Sequence, residues 1–392
     1  MTETLVHGKT EEKIGLAGIM TAIYFAALPF TMVTVVAGFS LLKLVSMITG
    51  AALLVLIFVG KNNRFCFNAS HLFFTLYVLY TYAGRLLSDD EYVIRIISDL
   101  LEAYIMIMIV SMRVYNRKEK ALFSYVWIAV GVFLIIMGIT SKEVIEADRM
   151  TVSILGSRED PNQFCGYFVL PALFGMEKII KKDKFWYLFA VYELLIMYVV
   201  FRTGSRGGLM AMVFPLAFYA LVGAKGLQNK LIVILSSCVL VTVVVGVVIP
   251  SLPEVTRSRF SVENVVESRG TGRFDLWETI VHAVTTDRGA LVRGYGLGST
   301  RDILEAAGQG RFFAHNHWIQ MLADQGLTGV FLMLAVFAAD FLRNYKHNRH
   351  VSASLIGAAA LSMSLTLYVF KPFLNILLVS SMSYEGEVRY EN

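Results

Sequence analysis

ALFSYVWIAVGVFLIIMGIT, residues 121–140, runs the width of a membrane without one charged side chain. As an α-helix this stretch would be about 30 Å long, which matches the hydrocarbon core of a bilayer. Apolar runs of similar length recur at 14–33, 41–60, 69–88, 92–112, 164–180, 185–201, 207–223, 230–249, 326–342 and 351–370. A shorter one follows Pro372, at 372–383. The 392-residue chain is 56% hydrophobic and 17% charged, too few charges to coat a soluble domain of this size. The pattern predicts an all-α polytopic membrane protein. It should have about 11–12 transmembrane helices and one large outer loop carrying short interfacial helices.

Lysine and arginine set the expected orientation. With a cytoplasmic N-terminus, the inner connections carry Lys61 and Arg64; Arg113, Arg117, Lys118 and Lys120; Lys178, Lys181, Lys182 and Lys184; Lys225 and Lys230; and Arg343, Lys346 and Arg349. The short connections on the other side carry far fewer, the pattern of a multi-pass protein of the cytoplasmic (inner) membrane. Residues 1–13 are polar and the run from Gly15 is too long for a signal peptide, so the first helix is expected to stay as an anchor. Three regions follow: an N-terminal bundle of about nine helices at 1–249, a large extracytoplasmic loop at 250–317, and C-terminal helices at 318–392. Cys66, Cys165 and Cys238 lie far apart in or beside apolar runs, so packing is expected of them rather than disulfides or a zinc site.

The outer loop is unusual in its cations. It holds Arg257, Arg259, Arg269, Arg273, Arg288, Arg293, Arg301 and Arg311, no lysine, and eight acidic residues. That balance leaves no net charge to hold a nucleic acid. Guanidinium is the group that grips phosphate oxygens through a planar fork, although each arginine can equally pair with Asp275, Glu278, Asp287 or Glu305. FRTGSRGGLMAMVF, residues 201–214, places Arg202 and Arg206 about a tiny outer turn, where Gly204, Gly207 and Gly208 are expected to let backbone approach a ligand. Arg202 either snorkels or binds. Arg206 opens a helix, whose dipole favours an anion beside it. RFDLWETIVHAVT, residues 273–285, is read as a short helix on the membrane surface, with Phe274, Trp277, Val281 and Val284 on one face. GYGLGS, residues 294–299, follows no predicted strand and is read as a turn.

Some charges fall inside the runs. Arg95 and Asp99 have the spacing of a helical pair; Glu102 joins their stripe, and Glu193 stands alone. They keep a transporter or flippase for a lipid-linked glycan as a second class of function. Such proteins usually show inverted repeats with charges at mid-depth, and no repeat is visible here.

Taken in order, SREDPNQFCGYF (157–168), TGSRGG (203–208), Arg273 with Trp277, GYGLG (294–298) and HNHWIQMLADQGLTG (315–329) resemble the O-antigen ligase and polymerase superfamily. The resemblance runs from about residue 145 to the end; earlier residues match only as membrane helices. It implies a membrane glycosyltransferase of the GT-C type that needs neither cofactor nor metal. The implied donor is a glycan on undecaprenyl pyrophosphate, and the acceptor is a sugar hydroxyl on a lipid-linked repeat unit or a lipopolysaccharide core. Transfer would occur at the extracytoplasmic face, among membrane lipids, with inversion. The family's histidine falls on His315, as general base in the first turn of a helix, and its SRGG arginine on Arg206. The arginine before tryptophan falls on Arg273. A further pyrophosphate-binding arginine falls on Arg149 or its rival Arg158, with Arg202 as another candidate. His317 is taken as structural; Asn316 and Gln320 either orient ligands or cap. Met210 stands where ligases often carry leucine, which tilts the reading toward a repeat-unit polymerase over a ligase.

Overall fold

The computed structural model describes residues 13–36, 38–59, 64–85, 90–141, 144–146, 149–251, 254–258, 272–368 and 370–386. Helices occupy every expected apolar run. They are α1 (Leu16–Ala26), α2 (Leu41–Val59), α3 (Ala69–Arg85), α4 (Glu91–Ser111), α5 (Arg117–Thr140), α6 (Pro161–Gly166), α7 (Val169–Ile180), α8 (Trp186–Arg202), α9 (Arg206–Gly223) and α10 (Gly226–Val243). After α10 come α11 (Ile249–Ser251), α12 (Glu254–Ser258), α13 (Arg273–Thr286), α14 (Arg288–Arg293) and α15 (Ser299–Ala306). The last are α16 (His317–His347), α17 (Arg349–Ser362) and α18 (Lys371–Ser381). The chain is an all-α membrane protein. Among the described residues four helices, α2, α5, α9 and α16, are long and apolar enough to cross a membrane. The expected run at 164–180 is broken into α6 and α7, and α18 has 11 residues, about 16 Å, which is short of a bilayer core.

Local chemistry sets the helix starts. Asn116 and Glu119 form a reciprocal capping box on α5, and Asp90 caps α4 by accepting from Tyr92 N. The core is aromatic where α1 meets α5: Phe25 lies edge-on to Phe123, with ring centres 5.5 Å apart, and against the wholly buried Trp127.

The polar contacts sort into two ends. At one end Lys120 donates to Asn348 Oδ1, and His350 lies 3.5 Å from Glu177. There Arg349 donates to Val222 O, and Arg343 binds the Ser381 and Met382 carbonyls. The first turn of α5, the last turns of α7, α9 and α16 and the start of α17 meet there. The opposite ends of α5, α9, α16 and α17 meet the 149–163 segment and the α13–α15 module.

Two departures bear on function. After the short strands β1 (Thr34–Val36), β2 (Phe39–Ser40) and β3 (Val114–Tyr115), the segment between the apolar runs at 121–140 and 164–180 folds into an antiparallel ribbon of β4 (Val144–Glu146), β5 (Arg149–Ile154) and β6 (Ser157–Glu159). Leu155 (φ 47°) and Gly156 (φ 91°) make its two-residue turn, with positive φ at both positions as that hairpin requires. Ser157 Oγ ties the ribbon to Met32 O, and Ser141 Oγ ties it to the end of α5 through Ser153. The second departure is a break in α16 at Gly326 (φ 64°, ψ −167°). The break frees the carbonyls of Ala323 and Asp324, which accept Tyr295 N (2.8 Å) and Gly296 N (3.0 Å). Gly294 and Gly326 fit together backbone to backbone: a Cβ on Gly294 would lie 2.4 Å from Asp324 O, and one on Gly326 2.4 Å from Val292 O. The GYGLG stretch is therefore a turn, as expected, and it serves to dock the kinked helix.

Candidate functional site

The site grows from two helix starts. Asp160 caps α6, accepting from Asn162 N at 2.8 Å with Pro161 in the first turn. Asn162 Oδ1 then accepts the hydroxyl of Ser205, and Ser205 Oγ accepts Gly208 N at 2.9 Å, capping α9. Arg206 is the first residue of α9, half-buried, and among the described residues no hydrogen bond or ion pair engages its guanidinium. The starts of α6 and α9 thus lie side by side, capped by Asp160 and Ser205, with the Arg206 cation on the second.

The glycines of TGSRGG do something other than expected. A Cβ on Gly207 would lie 2.2 Å from Ser364 Oγ, and one on Gly208 2.4 Å from Cys165 Cβ. They admit neighbouring protein to the helix start, not a ligand to the backbone. Gly204 (φ 66°) supplies the left-handed turn between α8 and α9. Cys165 is buried beside Thr203 and Cys66 is half-exposed; the side chain of Cys238 lies outside the described residues.

Ser364 is the hinge to the second cation. Its carbonyl accepts Arg273 Nη1 at 3.2 Å, so Arg273 and the start of α9 share one neighbour. Arg273 is in turn the first residue of its own helix, α13. Trp277 follows one turn on, the same helix face, about 6 Å along the axis. Its Nε1 donates to Ala314 O at 2.7 Å, which sets His315 beside α13. A continuous set of contacts therefore links Arg206, Gly207, Ser364, Arg273, Trp277, Ala314 and His315. Nothing in the sequence singled out Ser364, which lies some 90 residues from Arg273 and joins the site only through the tertiary fold.

His315 itself is exposed and adopts φ 49°. It does not stand in the first turn of a helix, as the sequence suggested. Asn316 is the N-cap of α16, accepting from Trp318 N and Ile319 N, and His315 lies one residue outside it. His317 is structural, as expected: it is buried, its Nδ1 accepts Leu367 N at 3.3 Å, and it packs edge-on to Tyr368 and Phe373.

The other candidates divide. Arg202 donates to Gly138 O (3.2 Å) and Ile139 O (3.1 Å), capping the C-terminal end of α5. Arg149 opens β5, its side chain outside the described residues; Arg158 is exposed on β6, opposite Ser153. Position 149 lies four residues along the ribbon from the Ser153–Arg158 pair, or about 13 Å. Glu159, next to Arg158, turns inward; burial, with Asp160 adding to it, pushes its carboxyl up to about 7.

Of the loop arginines, Arg301 pairs with Asp90 at 3.7 Å and lies over the Tyr92 ring, while Arg311 pairs with Asp302 and Glu305. Arg257, Arg288 and Arg293 are exposed; Arg259 and Arg269 lie outside the described residues. Of the α13 face read as Phe274, Trp277, Val281 and Val284, Val284 is buried; with Ile280 it packs against Leu304, Ala314 and Ala323, while Phe274 is exposed. Among the described residues Arg95 and Asp99 form no ion pair; Glu102 instead faces Lys43 (3.5 Å) and Lys371 (3.9 Å). Both carboxylate oxygens of Glu193 are buried without a hydrogen-bond partner among the described residues. Among the described residues no three His, Cys, Asp or Glu side chains converge as a metal-binding group.

A search of curated proteins finds no match. A chain from a structure on the coordination of polymerization and crosslinking by a peptidoglycan synthase complex aligns with 79% of this chain and 94% of its own. The TM-score is 0.45 at 15% identity, too distant to inform the site. Residues 191–334, which include Arg202, Arg206, Arg273, Trp277 and His315, match the O-antigen ligase family model. Over that stretch the resemblance read from the motifs and the family model agree.

Proposed function

We propose that the protein transfers a glycan from undecaprenyl pyrophosphate to a sugar hydroxyl at the outer face of the cytoplasmic membrane, polymerising repeat units. The supporting observation is the contact path from Arg206 through Ser364 and Arg273 to Trp277 and His315. Arg206 and Arg273 would bind the diphosphate, aided by the dipole at the start of α9. The acceptor oxygen attacks the anomeric carbon as the bond from that carbon to the diphosphate oxygen breaks. The bonding electrons leave with the diphosphate, and His315 takes the hydroxyl proton. Charge grows on the departing diphosphate, so donors already aimed there favour the transition state over the ground state. Attack opposite the leaving group inverts the anomeric centre.

In this reading residues 1–249 and 318–392 form the membrane bundle and 250–317 the outer module, with the N-terminus cytoplasmic. The lysine-rich connections at the end opposite the site fit that orientation. Arg158 and Arg149 stand as additional donor-binding positions on the ribbon, and Arg202 supports the turn that presents Arg206.

The test is reconstituted protein with a defined lipid-linked repeat unit, without an ion gradient. Release of undecaprenyl pyrophosphate with a ladder of products supports the proposal. Release only when a lipopolysaccharide core is added makes the protein a ligase. No consumption of donor, with lipid-linked glycan moved across the membrane, makes it a flippase.

A further inference from the structure

Ala314 is wholly buried, and side chains hold both of its backbone polar groups. Its carbonyl accepts Trp277 Nε1, and its N–H donates to Gln320 Oε1 at 3.1 Å. The next residue, His315, has φ 49°, a left-handed conformation that a residue with a side chain rarely adopts without outside support. Gln320 has no freedom to turn its amide. Its Nε2 donates to Thr300 Oγ1 at 2.7 Å and to Asp324 Oδ2 at 2.9 Å, which leaves the oxygen for Ala314. The other oxygen of Asp324 accepts Ser299 Oγ at 3.0 Å. Gln320, Thr300 and Asp324 are all buried. Such a network is costly unless complete, and a complete one fixes geometry that apolar packing would leave loose.

We propose that Trp277 and Gln320, with Asp324 behind Gln320, are positioning residues that clamp the Ala314 peptide and so hold His315 in its left-handed conformation at the site. The purpose of this clamp rests on the function proposed above; its existence does not. It gives Gln320 a role distinct from that of Asn316, which only caps α16. It also explains why an indole, rather than any aromatic ring, stands one turn after Arg273: the ring's N–H is what reaches Ala314. Both arms of the clamp converge on one peptide, and one arm shares a helix with Arg273. The diphosphate-binding cation and the base are thereby fixed to the same short segment.

The experiment uses the full chain in lipid, with Trp277→Phe and Gln320→Ala. Trp277→Phe keeps an aromatic ring and leaves the Gln320–Thr300–Asp324 network intact, so it guards against simple misfolding of the other variant. The first reading is amide hydrogen exchange. Gln320→Ala should exchange about tenfold or more faster across residues 312–316 while 343–350 stay unchanged. The second is transfer kinetics. Each variant should lower kcat by about 10–100-fold, the size expected of a small misplacement of a reacting group, with donor KM within about twofold. In a His315→Ala background neither should lower the rate further, because the group being positioned is gone. Unchanged exchange overturns the clamp. Losses that multiply with His315→Ala overturn the positioning role and leave a purely structural network. Faster exchange in a protein whose wild type consumes no lipid-linked glycan keeps the clamp and removes the proposed reaction, and the catalytic purpose with it.

Discussion

The two ends of the helix bundle differ in the use of one cation, Arg206. At one end Arg343 donates to two backbone carbonyls and Ser383 Oγ, Arg349 to Val222 O, Lys181 to Glu177 and Lys120 to Asn348. These groups are used up in holding helix ends together. At the other end Arg206 engages no described residue, although it sits half-buried at a helix start. Arg202, four residues earlier, shows the contrast within one turn: it is consumed by the α5 carbonyls. A guanidinium held firm at a helix start without a partner among the described residues suits a ligand's phosphate oxygens.

That contrast is broken most severely by changes at the site end. His315→Ala should lower kcat by about 10²–10⁴-fold, the usual worth of a positioned base, with Tm unchanged. A retained rate would remove His315 from the chemistry. Arg206→Ala should cost about 10²–10³-fold in kcat/KM, and Arg206→Lys most of that, because one ammonium cannot reproduce the paired donors. Wild-type turnover in Arg206→Lys would reduce Arg206 to a point charge. Gly207→Ala should cost about tenfold in rate and roughly 1–3 kcal/mol of stability. The new methyl group would meet Ser364 Oγ and push away the residue whose carbonyl holds Arg273.

Two smaller effects sharpen the comparison. The Glu159 carboxyl is held above its ordinary value, so the folded state keeps its proton while the unfolded chain loses it. Stability is full below about 4.5, falls as pH rises to about 7, and stays low above that. Glu159→Gln should flatten this dependence and raise stability at pH 8 by on the order of 3 kcal/mol. Equal Tm profiles for the two proteins would refute the buried, protonated acid. At the opposite end Arg343→Ala should cost about 1–3 kcal/mol by stranding the Ser381 and Met382 carbonyls, with kcat per folded molecule unchanged. A loss of kcat there would erase the division between the ends.

The helices were legible from apolar runs, since each expected run contains one. Arg206 and Arg273 were legible as helix starts from the glycine-rich turn and the Arg–Trp spacing. What escaped was the use of each feature. Met150, Val152 and Ile154 alternate inward along β5, a strand signal passed over because membrane runs flank it. The ring of glycines read as space for a ligand is space for Ser364 and Cys165, partners distant in sequence. His315 was placed in the first helical turn, although Asn316, for which a cap was one of two readings, starts the helix only after it. Periodicity reports what a segment is; only tertiary contact says what fills the gap beside it.

The most direct measurement is a structure of the protein in lipid with undecaprenyl pyrophosphate bound. The account predicts diphosphate oxygens within about 3 Å of both the Arg206 and Arg273 guanidinium groups, hydrogen-bonding distance, with His315 facing the same cavity. A diphosphate bound elsewhere, or held by Arg206 with His315 turned away from it, would contradict the account.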